Sequence, residues 1–184
     1  MAVTIEVIAW PDIERYASIP SVVRVTSILE PIVLEGGLGG IELLERSVNP
    51  YEKDYDALNP PARWPEVAPT AAWRLLLAVE DGVPVGGAAA YSDGSPRAEL
   101  WDIRVRIEAQ GHGIGRGLLD AASEWTASVG ARSLRAETQN TNVRACRFYQ
   151  RAGARLGGID LHAYSPPVED EVALFWYLDL IRDA

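Results

Sequence analysis

Gln110-Gly111-His112-Gly113-Ile114-Gly115-Arg116-Gly117 is the stretch that decides how this chain folds. An apolar run with strand character, Arg97 to Val105, precedes it. A helical pattern from Gly113 to Val129 follows, with Leu118, Ala122, Trp125 and Val129 on one face and Gly130 as its stop. A glycine-dense turn between a strand and a helix start lets backbone N–H groups converge on an anion, with the positive end of the helix dipole behind them. The expected ligand is a phosphorylated cofactor. A P-loop needs G-x-x-x-x-G-K-[ST], and no lysine follows these glycines. A dinucleotide loop needs G-x-G-x-x-G, but its last glycine falls on Arg116 counted from Gly111 and on Leu118 counted from Gly113.

What fits is Q/R-x-x-G-x-G, met by Gln110, Gly113 and Gly115. A second motif follows after one helix and one strand. Asn142-Val143-Arg144-Ala145-Cys146-Arg147-Phe148-Tyr149-Gln150-Arg151-Ala152-Gly153-Ala154 carries N-x-x-A-x-x-x-Y-x-x-x-G, with Ala154 where a packing Phe is usual. The pair resembles the GNAT acetyltransferases. That resemblance implies an α/β fold, a mixed and mostly antiparallel central sheet with helices on both faces, and acetyl-CoA as cosubstrate.

The length of 184 residues fits one domain over 1–184, and a 48% apolar share suffices for a core. No run of 18 apolar residues suggests a membrane span, and Met1 to Glu6 shows no basic signal-peptide start. The single Cys146 suits a reducing cytoplasm and reads as a small buried apolar residue. One cysteine and two scattered histidines give no metal spacing. A net charge of −9 argues against nucleic acid and suits a cationic substrate, or simply keeps the protein soluble. A homodimer is left open.

Along the chain, Thr4–Ala9 reads as a strand, Asp12–Ser18 as a short helix capped by Asp12, and Ser21–Leu29 as a strand or extended segment. Glu35–Gly40 is a turn before a strand over Ile41–Val48. Residues 49–70 hold Pro50, Pro60, Pro61, Pro65 and Pro69 with Tyr51, Tyr55 and Trp64. They read as an irregular loop walling the acceptor site, or as a surface loop pinned by its own aromatics. Trp73–Glu80 and Val83–Tyr91 form a hairpin about Asp81-Gly82. The remaining elements are strands over Ser133–Thr138, Arg155–Tyr164 and Val172–Asp179 and a helix over Asn142–Ala152.

Within the family, Pro50 to Asp56, Val85-Gly86-Gly87-Ala88, Glu137 to Asn142 and Ala173 to Tyr177 resemble the streptothricin acetyltransferase branch. The resemblance implies antibiotic resistance by acetylation of a primary amine on a small cationic molecule. Two other readings stay open, a protein or peptide acetyltransferase and a non-catalytic acetyl-CoA sensor or scaffold.

By the same resemblance, backbone N–H groups of Gly111, His112, Gly113, Ile114, Gly115 and Arg116 meet the pyrophosphate, beside Gln110. Arg116 adds charge there or is plain surface. Ile103 and Val105 offer backbone groups to the pantetheine arm, with Asn142 and Ala145 opposite. A backbone N–H near Ile103, freed where the strand splays from its neighbour, stabilises the oxyanion. Glu99, eleven residues before Gln110 and with the strand parity of Ile103 and Val105, is favoured as general base. Asp102, of opposite parity, comes second and is open to a structural reading. A carboxylate position common in the family falls on Trp101. Tyr149, seven residues after Asn142 and so on the same helix face, is the expected general acid, or else a core tyrosine beside Phe148. Tyr51, Asp54, Tyr55 and Asp56 are expected to gather the cationic acceptor. No metal takes part.

Overall fold

The computed structural model describes residues 2–180. In chain order the elements are β1 (Thr4–Ile8), α1 (Ile13–Ala17), β2 (Val22–Val33), β3 (Ile41–Asp54) and the single-turn α2 (Tyr55–Leu58). They continue with β4 (Trp73–Glu80), β5 (Val83–Tyr91), β6 (Arg97–Val105), α3 (Ile114–Ser128), β7 (Ser133–Gln139), α4 (Val143–Arg151), β8 (Arg155–Asp160) and β9 (Ala173–Asp179). Two compact units emerge. One takes the described residues up to Ser21, Asp54–Ala136 and those from Tyr177 on; the other takes Val22–Lys53 and Glu137–Trp176.

The first unit is built on strands in the order β1-β4-β5-β6-β7. The β1/β4, β4/β5 and β5/β6 pairs are antiparallel and β6/β7 is parallel, with α3 as the crossover. Asp81 and Gly82 take φ of 50° and 80°, the left-handed pair that a two-residue hairpin turn requires. Helices cover both faces. A Cβ on Gly86 would meet Ile114 and Leu118 of α3, whereas one on Gly87 would strike Tyr16 of α1. Successive strand residues point to opposite faces, so α1 and α3 lie on opposite sides of β5. On the α1 side, Ile8, Tyr16, Ile19, Trp64, Trp73, Leu75, Leu77 and Ala89 form a buried cluster.

β6 carries an irregularity that periodicity did not show. Ala90 faces Leu100, but the next residue, Ala89, faces Asp102, so Trp101 is the extra residue of a β-bulge. The bulge reverses the expected parity. Glu99, opposite Tyr91, and Asp102, opposite Ala89, share the α1 face, while Leu100, Ile103 and Val105 share the other. Glu99 therefore does not have the parity of Ile103 and Val105. The parallel pairing of β6 with β7 ends at Leu100 opposite Ala136, although β6 runs on to Val105.

The second unit holds the β2–β3 hairpin, α4 and strands in the order β7-β9-β8. Buried Asn140 locks it together. Its Nδ2 donates to Leu29 O at 3.1 Å, and its Oδ1 accepts from Val172 N at 2.9 Å.

Several expectations shift. The segment over 49–70 is not irregular throughout, because β3 extends to Asp54 and tolerates Pro50 in a two-stranded sheet where each strand has a free edge. The rest folds into α2 and two 3₁₀ turns, with Trp64 only 1% exposed and stacked on Trp73 at 5.8 Å. β8 stops at Asp160, whose carboxylate accepts from His162 N in a local turn, so the strand does not reach Tyr164. Asp12 stands at the start of α1 without a side-chain cap bond. Val129 is 45% exposed and lies beyond the buried stripe of α3.

Candidate active site

In the first unit, α3 starts on Gly113, whose φ of 82° only glycine adopts cheaply. Gly111 has a φ of 84°. No acidic residue stands in the first turn of this 15-residue helix and no side chain caps it, so its leading N–H groups and dipole are left for an anion. These features fit a pyrophosphate. The side chains around the loop have structural duties. Gln110 Nε2 donates to Val105 O at 2.7 Å, tying the loop to the end of β6. Ile114 is 7% exposed and packs inward, so only its backbone is available. His112 Nδ1 lies 3.4 Å from Ala109 O on the surface. Arg116 pairs with Asp120 at 2.8 Å, both half-exposed, which favours the plain-surface reading.

Beyond Leu100, backbone groups of β6 that point away from β5 have no registered partner on β7. This part of β6 therefore lies outside the β7 ladder.

The carboxylates on the α1 face of β6 differ sharply. Asp102 accepts from Tyr16 Oη at 2.5 Å and from Arg104 Nε at 2.8 Å through Oδ2, and from Arg104 Nη2 at 3.1 Å through Oδ1. Arg104, with its side chain 4% exposed, also forks onto Asp56 at 2.7 and 2.8 Å and donates to Ile19 O. Its guanidinium lies over the rings of Tyr16 and Trp64. Burial and then Asp102 push the Tyr16 phenol well above its ordinary value. Burial lowers the Arg104 pKa, but Asp102 and Asp56 more than reverse this. Asp102 and Asp56 are thus two anchors of one buried cation, and Asp56 is not open to a second cation. Asp54 caps α2, accepting from Asp56 N at 3.0 Å.

Glu99 lies between Arg97 at 3.0 Å and Arg135 at 2.7 Å, with its side chain 15% exposed. The Arg97 side chain is 45% exposed, the more open of the two arms on Glu99. Cross-strand Tyr91 has a phenol pKa raised by burial and by Glu99. Trp101 packs edge-on against Trp73 and Tyr91.

In the second unit, Asn142 is the N-cap of α4, its Oδ1 accepting from Ala145 N at 3.1 Å. The motif's Asn and Ala are thus first of all a helix cap, and of the Asn142 side chain the Nδ2 group remains to meet a ligand. Tyr149 is 4% exposed and packs edge-on to Phe148 at 5.2 Å. Cys146 is buried beside Thr138, and burial raises its thiol pKa. Tyr51 is 43% exposed, its phenol raised by burial and then by Glu171. Reading the sequence missed two features here. Lys53 and Glu171 form a buried ion pair across 118 residues of chain. Tyr164 Oη donates to Glu137 at 2.7 Å and accepts from Gln139 Nε2. Neither carries a local sequence signal. Tyr51 belongs to this unit, and Asp54, Tyr55 and Asp56 to the first.

No helix of the described residues is long and apolar enough to cross a membrane. The sequence pattern described as "Acetyltransferase (GNAT) family" matches residues 42–154. A streptothricin acetyltransferase of Escherichia coli is 34% identical over 140 residues, 75% of this chain and 76% of that protein. Streptothricin acetyltransferase A of Bacillus subtilis (strain 168) is 32% identical over 134 residues, 72% of this chain and 76% of that one. The fold matches a solved nourseothricin acetyltransferase with a TM-score of 0.80 and 26% identity, over 98% of this chain and 100% of that chain. A Bacillus anthracis str. Ames protein, solved in complex with acetyl coenzyme A, matches with a TM-score of 0.80 and 27% identity, over 97% and 99%. The chain is an acyltransferase that belongs to the GNAT family, on the branch resembling the streptothricin acetyltransferases.

Proposed function

We propose that this enzyme moves the acetyl group of acetyl-CoA onto a primary amine of a small cationic molecule of the streptothricin kind. The observation that carries the reading is the glycine-capped, acid-free start of α3 at the end of a strand that outruns its parallel neighbour. Similarity to streptothricin acetyltransferases supports the acceptor class.

Acetyl-CoA supplies the activated acyl group as a thioester. The N–H groups from Gly111 to Arg116 bind its pyrophosphate. Backbone groups of Ile103 and Val105, the Asn142 amide and the α4 turn at Ala145 orient the pantetheine arm. An N–H of β6 near Ile103 faces the oxyanion, a contribution of roughly 3 kcal/mol. The acceptor is the harder problem. With a pKa of about 10.4, only about one alkylamine in 2,500 is neutral at pH 7. Glu99 takes the ammonium proton, directly or through water, when the Arg97 arm moves aside. Tyr149 returns a proton to the leaving thiolate. Tyr51, Asp54 and Tyr55 line the approach of the acceptor; Asp56 is left out because Arg104 neutralises it. A cytoplasmic location suits the lone cysteine and the cosubstrate.

The test is thiol release from acetyl-CoA in the presence of a panel of free amines that includes streptothricin. Amine-dependent release is expected, abolished in a folded Gly113→Glu variant, whose added charge opposes the pyrophosphate. No release with any small amine overturns the acceptor class, and unchanged acetyl-CoA affinity in Gly113→Glu overturns the loop.

A further inference from the structure

The second unit contains a cleft of about 240 Å³ between β2 and the outer face of α4. Its rim holds Arg24 on β2 and Arg144, Arg147 and Arg151 on α4, with Glu45 as the acidic group among its lining residues. The three helix arginines fall at i, i+3 and i+7, so they share one face. Four guanidinium groups thus meet around one small concavity in a chain whose net charge is −9.

Elsewhere in the molecule, arginines such as Arg15, Arg46, Arg63, Arg97, Arg104, Arg116 and Arg135 sit on a carboxylate. Within the cleft, Arg147 meets Glu45, which also accepts from Ser27 at 2.7 Å. Arg24, Arg144 and Arg151 are exposed, and no ion pair among the described residues involves them, in contrast to Arg147 on Glu45. Acids outnumber bases 26 to 17 in the sequence, so unpaired arginines are not forced by a shortage of carboxylates. Gathering them costs mutual repulsion, which a bound anion relieves. The first turn of α4 carries no acid to compete. The cleft is smaller than the roughly 300–1,000 Å³ that encloses a whole drug-sized ligand, so it suits one compact anionic group. Planar guanidinium forks match phosphate oxygens in pairs.

We propose that this cleft binds a phosphate monoester through Arg24, Arg144 and Arg151, with Glu45 holding Arg147 back and so limiting the affinity. The phosphate comes either from the 3′-phosphate of a coenzyme A thioester or from a separate phosphorylated small molecule.

Calorimetric titration of the full chain with inorganic phosphate tests this. Arg144→Gln/Arg151→Gln should weaken phosphate binding by about tenfold or more. Glu45→Gln should strengthen it, and Arg46→Gln, which removes one positive charge at the exposed Glu30 pair outside the cleft, should leave it alone. Titrations with acetyl-CoA and with its 3′-dephospho form separate the two sources. A double variant that weakens only acetyl-CoA assigns the phosphate to the cosubstrate. One that leaves both affinities intact, while losing inorganic phosphate, assigns it to a separate ligand. No phosphate binding by the native chain, or binding indifferent to these substitutions in variants with native circular dichroism, overturns the proposal. Thiol release measured on the same samples keeps the two readings apart. Acetyl transfer without phosphate binding removes the cleft alone, and phosphate binding without acetyl transfer removes the acetyl-transfer reading alone.

Discussion

Tyr16 of α1 gives its phenol hydrogen to Asp102 of β6 at 2.5 Å, and the same carboxylate oxygen accepts from Arg104 at 2.8 Å. Asp102 is thereby fixed by a helix at one end of the unit and by a buried cation that also holds Asp56. This makes Asp102 an organiser of the α1 face of the sheet, where Glu99 stands on the other side of the Trp101 bulge.

Tyr16→Phe should therefore cost about 1.5–3 kcal/mol of stability, the range for a hydrogen bond to a charged partner. Urea unfolding midpoints measure it. Because burial and Asp102 raise the folded pKa of Tyr16 above its unfolded value, its contribution is complete below about pH 10 and falls as pH climbs through the folded pKa. Tyr16→Phe should flatten part of the alkaline loss of stability, with Tyr51, Tyr91 and Tyr164, also raised, supplying the rest. An unchanged alkaline limb in the variant contradicts the assignment.

Asp56→Asn and Asp54→Asn should separate. Asp56 completes the fork on Arg104, whose side chain is 4% exposed, so its loss should destabilise by about 1–3 kcal/mol. Asp54 is an exposed N-cap, and asparagine caps nearly as well, so stability should hold. If Asp54 attracts a cationic acceptor, Asp54→Asn raises KM, more at low salt. Equal unfolding midpoints for both variants would show that the Arg104 fork contributes nothing.

Gly87→Ala should destabilise the first unit strongly. The new Cβ would lie 2.5 Å from Cε2 of Tyr16, a ring that is fully buried and tied at its hydroxyl. Overpacking of this kind costs typically about 1–3 kcal/mol. Tyr16→Phe in the same chain leaves the ring in place and should not rescue it, whereas Tyr16→Ala should, in part, by clearing the space. Thermal unfolding of the single and double variants reads the coupling.

The proton-transfer roles predict two different kinetic signatures. Glu99→Gln should lower turnover most at neutral pH, with the deficit shrinking as the acceptor amine becomes neutral at high pH. Tyr149→Phe should lower turnover by about 10²-fold or more with little change in acetyl-CoA affinity. A deficit in Glu99→Gln that is flat with pH removes the base. Turnover within a factor of three in Tyr149→Phe makes that residue a packing tyrosine, as its 4% exposure beside Phe148 also allows.

The sequence by itself determined the strand, loop and helix from Arg97 to Ser128, because glycine spacing and apolar periodicity are local signals. The Trp73–Tyr91 hairpin was legible to the residue for the same reason, with Asp81-Gly82 supplying the two positive φ values. The order of α3, β7 and α4, one helix and one strand between the two motifs, followed as well. Which carboxylates are free was not legible. Strict alternation put Glu99 and Asp102 on opposite faces; one unpaired residue, Trp101, put them on the same face, and a bulge has no periodic signature. Asp56 read as an exposed acid in a loop. Its partner Arg104 lies 48 residues on, and only the docking of α1, α2 and β6 brings them together. Ion pairs such as these are set by long-range packing, so the reach of a charge was decided in the tertiary structure and not along the chain.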